Sequence, residues 1–263
     1  MVNIRQAAVA GTFYPADAKQ LKSMVSHYID EVSQSEKVPK AIIAPHAGYI
    51  YSGPIAASVY ARLQSEFCHY KRVLLIGPSH RVGFSGLALS KAQQFATPLG
   101  NISIDTEAIK QLSEYPFVNF LEQAHELEHS LEVQLPFLQQ VLGEFTLIPI
   151  VAGDASAENI CQVIERFWDC QDTLIVISSD LSHFHDYHTA KKMDLETSAL
   201  IEQLQYEKLG FESACGRVPV SGLLAFARKN NLQLKTIDLR SSGDTAGRDN
   251  KDRVVGYGAY VIE

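Results

Sequence analysis

The sequence has no excess of positive charge and no long apolar stretch, and both absences exclude whole classes of protein. Its 263 residues carry a formal net charge of −7, whereas a protein that binds a phosphate backbone needs a basic face. No segment approaches the roughly 18 apolar residues of a membrane-spanning helix, and the N-terminal residues lack the apolar core of a signal peptide. We therefore expect a cytoplasmic protein with no nucleic-acid partner and no membrane partner.

Cysteine is also scarce. Four cysteines show no C-x-x-C spacing, and they are too few for a disulfide framework in a chain of this length, so we expect reduced thiols. Cys68, Cys161 and Cys170 are interpreted as packing residues. Cys215 stands in SACGRVPVSG, a turn shaped by a glycine and a proline. A thiol there is either a metal ligand or nucleophile, or a buried structural cysteine.

Short, uninterrupted apolar runs alternate with segments of helical periodicity. The runs Ala41–Ala44, 72–76 and 173–177 are typical of strands that are covered on both faces of a sheet. Segments between them repeat apolar residues at helical spacing. We predict one domain over residues 1–263, with a three-layer α/β/α fold and a largely parallel or mixed central sheet.

The same periodicities assign the remaining elements. Helices are predicted after the N-cap Asp17 through Val32, and at residues 54–63, 106–113, 131–142, 156–167, 188–205 and 220–230. Pro136 is expected to kink the 131–142 helix or to lie in its first turn. Further strands are predicted at 86–90, 145–151, 232–239 and 253–262, with a hairpin over 95–104.

Three apolar runs each lead into a loop that carries a histidine. They are AIIAPHAGY with His46, VLLIGPSH with His80 and LIVISSDLSH with His183. Because the carboxyl ends of neighbouring parallel strands meet at one crevice, we expect these imidazoles to share a site, with Cys215 as a candidate fourth member. Neutral imidazole is the commonest metal ligand near neutral pH, so a functional role is favoured over simple capping of a strand-end carbonyl.

The segment around His183 contains further polar residues. Asp180 lies three residues earlier, close enough to orient the imidazole or to accept its proton. His183 is therefore a candidate general acid/base or substrate contact. His185 and His188 follow, and we interpret them as residues of a solvated loop and a helix start rather than a histidine-rich metal tract.

Two other catalytic arrangements are considered. HELEH, from His125 to His129, matches H-E-x-x-H and would describe a zinc protease with Glu126 as base. The helical apolar pattern begins only at Leu131, so we keep His129 as a loop residue and discard His125. A serine hydrolase is conceivable because serines 79, 179 and 182 lie beside the histidines, but no G-x-S-x-G elbow is present.

Six motifs, in this order along the chain, resemble the Memo family: AGTFYP, APHAGYIYSG, GPSHR, EHSLEVQLPF, SSDLSHF and CGRVPV. Bacterial and archaeal members of that family are called AmmeMemoRadiSam system protein B. The resemblance implies the fold of class III non-haem-iron extradiol dioxygenases. It also implies a shared pathway with a radical S-adenosylmethionine enzyme and an AMMECR1-type protein.

The resemblance also implies roles for particular residues. In the related dioxygenases two histidines and a glutamate bind Fe(II). The histidines correspond to His46 and His80, and Cys215 takes the place of the glutamate. A thiolate is softer than a carboxylate, so iron or copper is expected, with zinc as a further candidate.

The remaining site residues follow from the same motifs. His183 resembles the dioxygenase acid/base histidine, His129 resembles a substrate-side histidine, and Asp180 is expected to line the pocket. The expected function is that of a metal-dependent oxidoreductase acting on an unknown substrate. The alternative is a non-catalytic binding or scaffold protein with a vestigial dioxygenase site.

Overall fold

A computed structural model describes residues 2–33, 37–65, 68–245 and 251–263. Twelve strands within these ranges form one sheet. They are β1 Ile4–Arg5, β2 Ala41–Ala44, β3 Arg72–Pro78, β4 Leu87–Leu89, β5 Gln94–Thr97, β6 Gly100–Ile104, β7 Val118–Phe120, β8 Thr146–Ala152, β9 Thr173–Ser178, β10 His183–His185, β11 Lys235–Ser241 and β12 Val254–Ile262.

The centre of the sheet is parallel and its flanks are mixed. Strands β8, β3, β9 and β2 lie side by side in parallel. β12 pairs with β2, β10 and β11 in the antiparallel sense, and β5 and β6 form the expected antiparallel hairpin. Every residue of β2 and β9 is buried, as continuous apolar runs require. The predicted mixed α/β fold is therefore confirmed.

Helices flank the sheet in two groups. The helices within the described ranges are α1 Ala18–Asp30, α2 Tyr49–Tyr60, α3 Thr106–Leu112, α4 Glu122–Glu126, α5 Leu135–Leu142, α6 Ala157–Trp168, α7 Tyr187–Glu202, α8 Arg217–Lys229 and α9 Ser242–Thr245. Helices α1, α2 and α5 pack together, and α6 packs on α8. None of the helices in the described residues has the length and apolar character that a membrane span requires.

Several predicted helix boundaries differ from the structure by a few residues, and the boundaries of α2 and α5 differ near a proline. α2 begins at Tyr49, so Pro54 lies inside the helix instead of starting it. The carbonyl that loses its usual partner belongs to Ile50, which is an exposed residue, and the cost of the proline is correspondingly small. Pro136 lies in the first turn of α5, after a 3₁₀ turn at Glu132–Gln134, which is one of the two outcomes expected for it.

The elements that the sequence did not predict are short. Strands β1, β7 and β10 and helices α4 and α9 have between two and five residues, too few to show a periodicity. The strand predicted at 232–239 runs instead over Lys235–Ser241. Such elements depend on the neighbours with which they pair rather than on their own propensity.

Candidate functional site

The carboxyl ends of adjacent strands bring the predicted residues together. His46 follows β2 and His80 follows β3, and β9 lies between these two strands. Cys215 precedes Gly216, the N-cap of α8. One side-chain nitrogen from each imidazole and the Cys215 sulfur all lie within 4.8 Å of one another. Cys215 Sγ lies 3.2 Å from His46 Nε2.

Hydrogen bonding fixes which nitrogen of His46 faces the cluster. The Ser178 hydroxyl donates its single proton to the Ser130 carbonyl at 2.6 Å and accepts a bond from Gln134 Nε2. It can therefore only accept from His46 Nδ1, which lies 2.8 Å away. The proton sits on Nδ1, and the Nε2 lone pair points to the sulfur of Cys215. Burial lowers the pKa of His46 far below its usual value, so the ring is neutral.

A buried carboxylate orients His80 in the same way. Glu128, which is 1% exposed, accepts hydrogen bonds from His80 Nδ1 at 2.9 Å and from the His80 backbone N–H at 2.6 Å. It also accepts the backbone N–H groups of His129 and Ser130. Burial would raise the pKa of Glu128, but the hydrogen bonds from His80 and Ser130 outweigh it and lower the pKa to about 2. In the neutral ring, which has its proton on Nδ1, His80 Nε2 carries the lone pair that a ligand would use.

The position of Cys215 depends on the glycine that follows it, because Gly216 has no room for a side chain. A Cβ on Gly216 would lie 2.6 Å from the Ser178 carbonyl oxygen, so only glycine allows α8 to start this close to β9. The backbone N–H of Asp180 donates to Cys215 Sγ at 3.3 Å. Burial, followed by the charge of the Asp180 carboxylate, raises the pKa of the Cys215 thiol. Without a metal ion, the sulfur is therefore protonated.

His183 and Asp180 form a second group with the sulfur of Cys215. The Leu181 carbonyl accepts a bond from His183 Nδ1 at 2.8 Å, so the lone pair of the neutral ring is on Nε2. Side-chain atoms of Asp180, His183 and Cys215 lie within 4.8 Å of one another. Burial raises the pKa of Asp180 to about 6, against the opposing effects of His183 and of a hydrogen bond from the His46 backbone N–H.

His129 completes the cluster. Its ring centroid is 4.5 Å from that of His80 and 5.5 Å from that of His46, and its other neighbour is the Phe13 ring at 4.7 Å. Burial and the charge of His80 lower the pKa of His129 to about 4. Its Nδ1 lies 3.3 Å from Glu128 Oε1 without hydrogen-bond geometry, and it has no other partner among the described residues. The structure thus places all six predicted site residues in one cluster.

The HELEH segment does not form a protease site. Helix α4 ends at Glu126, so His125 and His129 do not share one helical face. His125 is buried, and its Nε2 lies 3.0 Å from the Ala88 carbonyl oxygen. Glu126 is exposed and cannot act on a metal ion that is bound at the cluster.

The serines 79, 179 and 182 do not hydrogen-bond to an imidazole in the described residues. Ser79 Oγ donates to the Val82 carbonyl, and Ser179 Oγ donates to the Asp180 carbonyl. Ser182 Oγ is buried and has no hydrogen-bond partner in the part of the chain that the structure describes. None of these contacts provides a serine activated by an imidazole.

Two functional residues were missed from the sequence. Glu128 binds His80, and Ser178 binds His46. Glu128 stands directly before His129 in the EHS motif, which is the only local signal for it. Ser178 is the last residue of β9, and nothing local distinguishes its role from that of Ser179.

Comparison with known proteins identifies the family of this chain. The sequence profile described as "Memo-like protein" matches residues 5–261. The chain belongs to the Memo family. A "MEMO1 family protein" of Aquifex aeolicus is 36% identical over 267 residues, covering 97% of this chain and 98% of that protein. One from Saccharolobus solfataricus is 35% identical, covering 96% and 97%.

A solved structure is similar to this Memo-family chain in fold. It is that of the uncharacterized protein JW3007 from Escherichia coli K12, with a TM-score of 0.53 and 11% sequence identity. The match covers 84% of this chain and 99% of the other. At this identity the likeness concerns the fold alone.

Proposed function

We propose that this Memo-family protein binds one iron or copper ion through His46, His80 and Cys215 and uses it to oxidise a small substrate. The observation that carries the proposal is the direction of the donor atoms. Two imidazoles have their Nδ1 protons taken by fixed acceptors, so both Nε2 lone pairs are available next to one sulfur. Donors about 2.0–2.3 Å from a shared ion lie roughly 3.5 Å apart in a tetrahedral site, and the His46–Cys215 distance of 3.2 Å fits that spacing.

Two overlapping groups of residues suit a metal ion less well. In the group His80, Glu128 and His129, the carboxylate already accepts four hydrogen bonds. In the group Asp180, His183 and Cys215, the carboxylate accepts the His46 backbone N–H. Carboxylates of this kind serve to orient metal ligands.

The donor set indicates which ions are suitable. Thiolate and imidazole are soft or borderline ligands that suit copper, zinc and thiolate-bound iron rather than magnesium or calcium. When bound, iron or copper would supply redox chemistry at an open coordination position. Three protein ligands leave room for such a position.

Residues that surround the donor atoms can accept or hold a proton. His183 Nε2 carries a lone pair and can accept a proton from a substrate hydroxyl, while Asp180 lies beside it in the same group. His129 is neutral and lines the cluster next to Phe13. For a catechol substrate the overall reaction balances with dioxygen alone: one ring carbon–carbon bond breaks and both oxygen atoms enter the product, so no external reductant is needed.

The buried carboxylate should tune metal affinity. We expect Glu128→Gln to weaken binding of Zn²⁺ or Co²⁺ about 10- to 100-fold, because an amide cannot accept all the N–H groups that Glu128 now accepts. Competition with a chromophoric chelator measures the change. Glu126→Gln, a substitution at an exposed residue two positions earlier in the chain, is the matched control. Equal affinity in both variants would show that Glu128 does not orient His80.

Oxidation is tested by oxygen uptake. The purified protein is loaded anaerobically with Fe(II) or copper and then mixed with catechols and dioxygen. We expect His183→Asn to retain its metal ion but to lose roughly 100- to 10,000-fold in rate, the usual contribution of a general base. His188→Asn, at an exposed position in the first turn of α7, should behave as wild type.

The alternative function has a different signature. A scaffold protein with a vestigial site would consume no oxygen with any catechol. A partner that co-purifies equally well with wild type and with His46→Ala would then favour the scaffold over the oxidoreductase.

A further inference from the structure

A cleft of about 340 Å³ adjoins Cys215 and is not used by the chemistry described above. It is lined by Ser79, Val82, Phe84, Phe211, Arg217 and Val218, together with Cys215 itself. Most of these side chains are apolar, and one is a cation. A cleft with apolar walls and few polar groups is typical of a small-molecule site.

Arg217 is the cation in this cleft. It is half-buried, and its guanidinium carbon lies 3.8 Å from the centroid of the Phe211 ring. Among the residues that the structure describes, none forms an ion pair or a hydrogen bond with the Arg217 side chain. Asp154, at the exposed edge of the cleft, lies beyond ion-pair distance. The N–H donors of Arg217 are therefore free of protein partners.

A second arginine on the same helix has a guanidinium group whose N–H donors are paired with a carboxylate, which provides a comparison for Arg217. Arg228, near the other end of α8, also stacks on an aromatic ring, that of Tyr206 at 4.3 Å. Both of its terminal nitrogens bind the Glu207 carboxylate, at 2.6 and 3.1 Å. Stacking covers one face of a guanidinium and leaves its in-plane donors available. Arg217 has the same stacking but lacks the carboxylate.

Phe211 supports this interpretation. Its side chain is 83% exposed, although a phenyl ring gains free energy from burial. The contact with Arg217 holds the ring over the guanidinium and fixes the plane in which an anion can approach.

We propose that Arg217 binds the carboxylate of a small organic substrate with an apolar body that extends towards Cys215. The inference deepens the proposed function, on which it rests for the identity of the reacting centre. Arg217 follows Cys215 by two residues, so the start of α8 would carry both a metal ligand and the residue that selects the substrate. A planar guanidinium binds a carboxylate through two parallel N–H···O bonds.

The test uses metal-free protein, so that it does not depend on metal binding or turnover. Benzoate and its neutral analogue benzamide are titrated against the protein, and binding is followed by ligand-observed NMR. We expect wild type to prefer benzoate, and Arg217→Gln to weaken benzoate binding about 10-fold or more while leaving benzamide unchanged. Arg217→Lys should lie between the two, because it keeps the charge but loses the two-pronged geometry.

Arg228→Gln is the matched control, since Arg228 is stacked in the same way but already bound to a carboxylate. It should bind benzoate as wild type does. The proposal is overturned if wild type binds benzoate no better than benzamide, or if Arg217→Gln and Arg228→Gln have equal effects. A protein that binds benzoate as expected but retains no metal ion would refute the proposed function and leave Arg217 as a carboxylate site.

Discussion

Replacing Cys215 by serine is expected to reduce metal affinity by more than the roughly 10- to 100-fold that loss of an outer hydrogen-bond partner causes. The thiolate is the only sulfur donor in the group with His46 and His80, and a serine hydroxyl is a poor ligand for copper, zinc or iron. The substitution replaces sulfur by oxygen and changes the side-chain volume little, so the fold should persist.

Cobalt provides a direct spectroscopic measurement. Co²⁺ bound to a thiolate absorbs in the near ultraviolet through sulfur-to-metal charge transfer. We expect this band in wild type and its loss in Cys215→Ser. Cys170→Ser is the control, because Cys170 is also a free, half-buried cysteine but lies outside the cluster. If Cys215→Ser kept both the band and the affinity of wild type, the sulfur would not be a ligand.

Replacing Glu132 by glutamine should be the most destabilising substitution among those considered, with a loss of about 3–5 kcal/mol in the free energy of unfolding. The Glu132 carboxylate is fully buried. It accepts bonds from the Ala8 and Val9 backbone N–H groups at 2.8 and 2.9 Å and from Tyr14 Oη at 2.6 Å, and it forms an ion pair with Arg5. Removing its charge leaves the Arg5 guanidinium buried without its counter-ion.

The Glu132→Gln substitution should also weaken metal binding at the site. Arg5 also donates to the carbonyls of His125 and Glu128, at 3.0 and 2.6 Å, so it joins the N-terminal segment to the loop that carries Glu128 and His129. We expect a lower urea midpoint with an unchanged m-value, accompanied by weaker Zn²⁺ binding. Glu126→Gln, at the exposed last residue of α4, should have the same urea midpoint as wild type. A midpoint for Glu132→Gln within error of wild type would contradict the prediction.

Much of the fold was predictable because its signals are local. The apolar runs of β2 and β9 are continuous, the N-caps Asp17 and Ser156 precede periodic segments, and each is found where it was expected. The strand-end positions of His46 and His80 follow from that pattern, since neighbouring parallel strands end at the same edge of a sheet. Family membership followed from six motifs in order and is confirmed.

The sequence by itself determined the longer strands, the main helices and the residues that meet at the strand ends, because periodicity and loop composition are properties of a few consecutive residues. Only the tertiary structure decided how those residues are oriented. Ser178, which sets the tautomer of His46, lies 132 positions away, and Glu132 lies 127 positions from Arg5. The direction of a histidine lone pair depends on hydrogen bonds between distant segments, and so does the presence or absence of a partner for Arg217. No local sequence pattern predicts these hydrogen bonds.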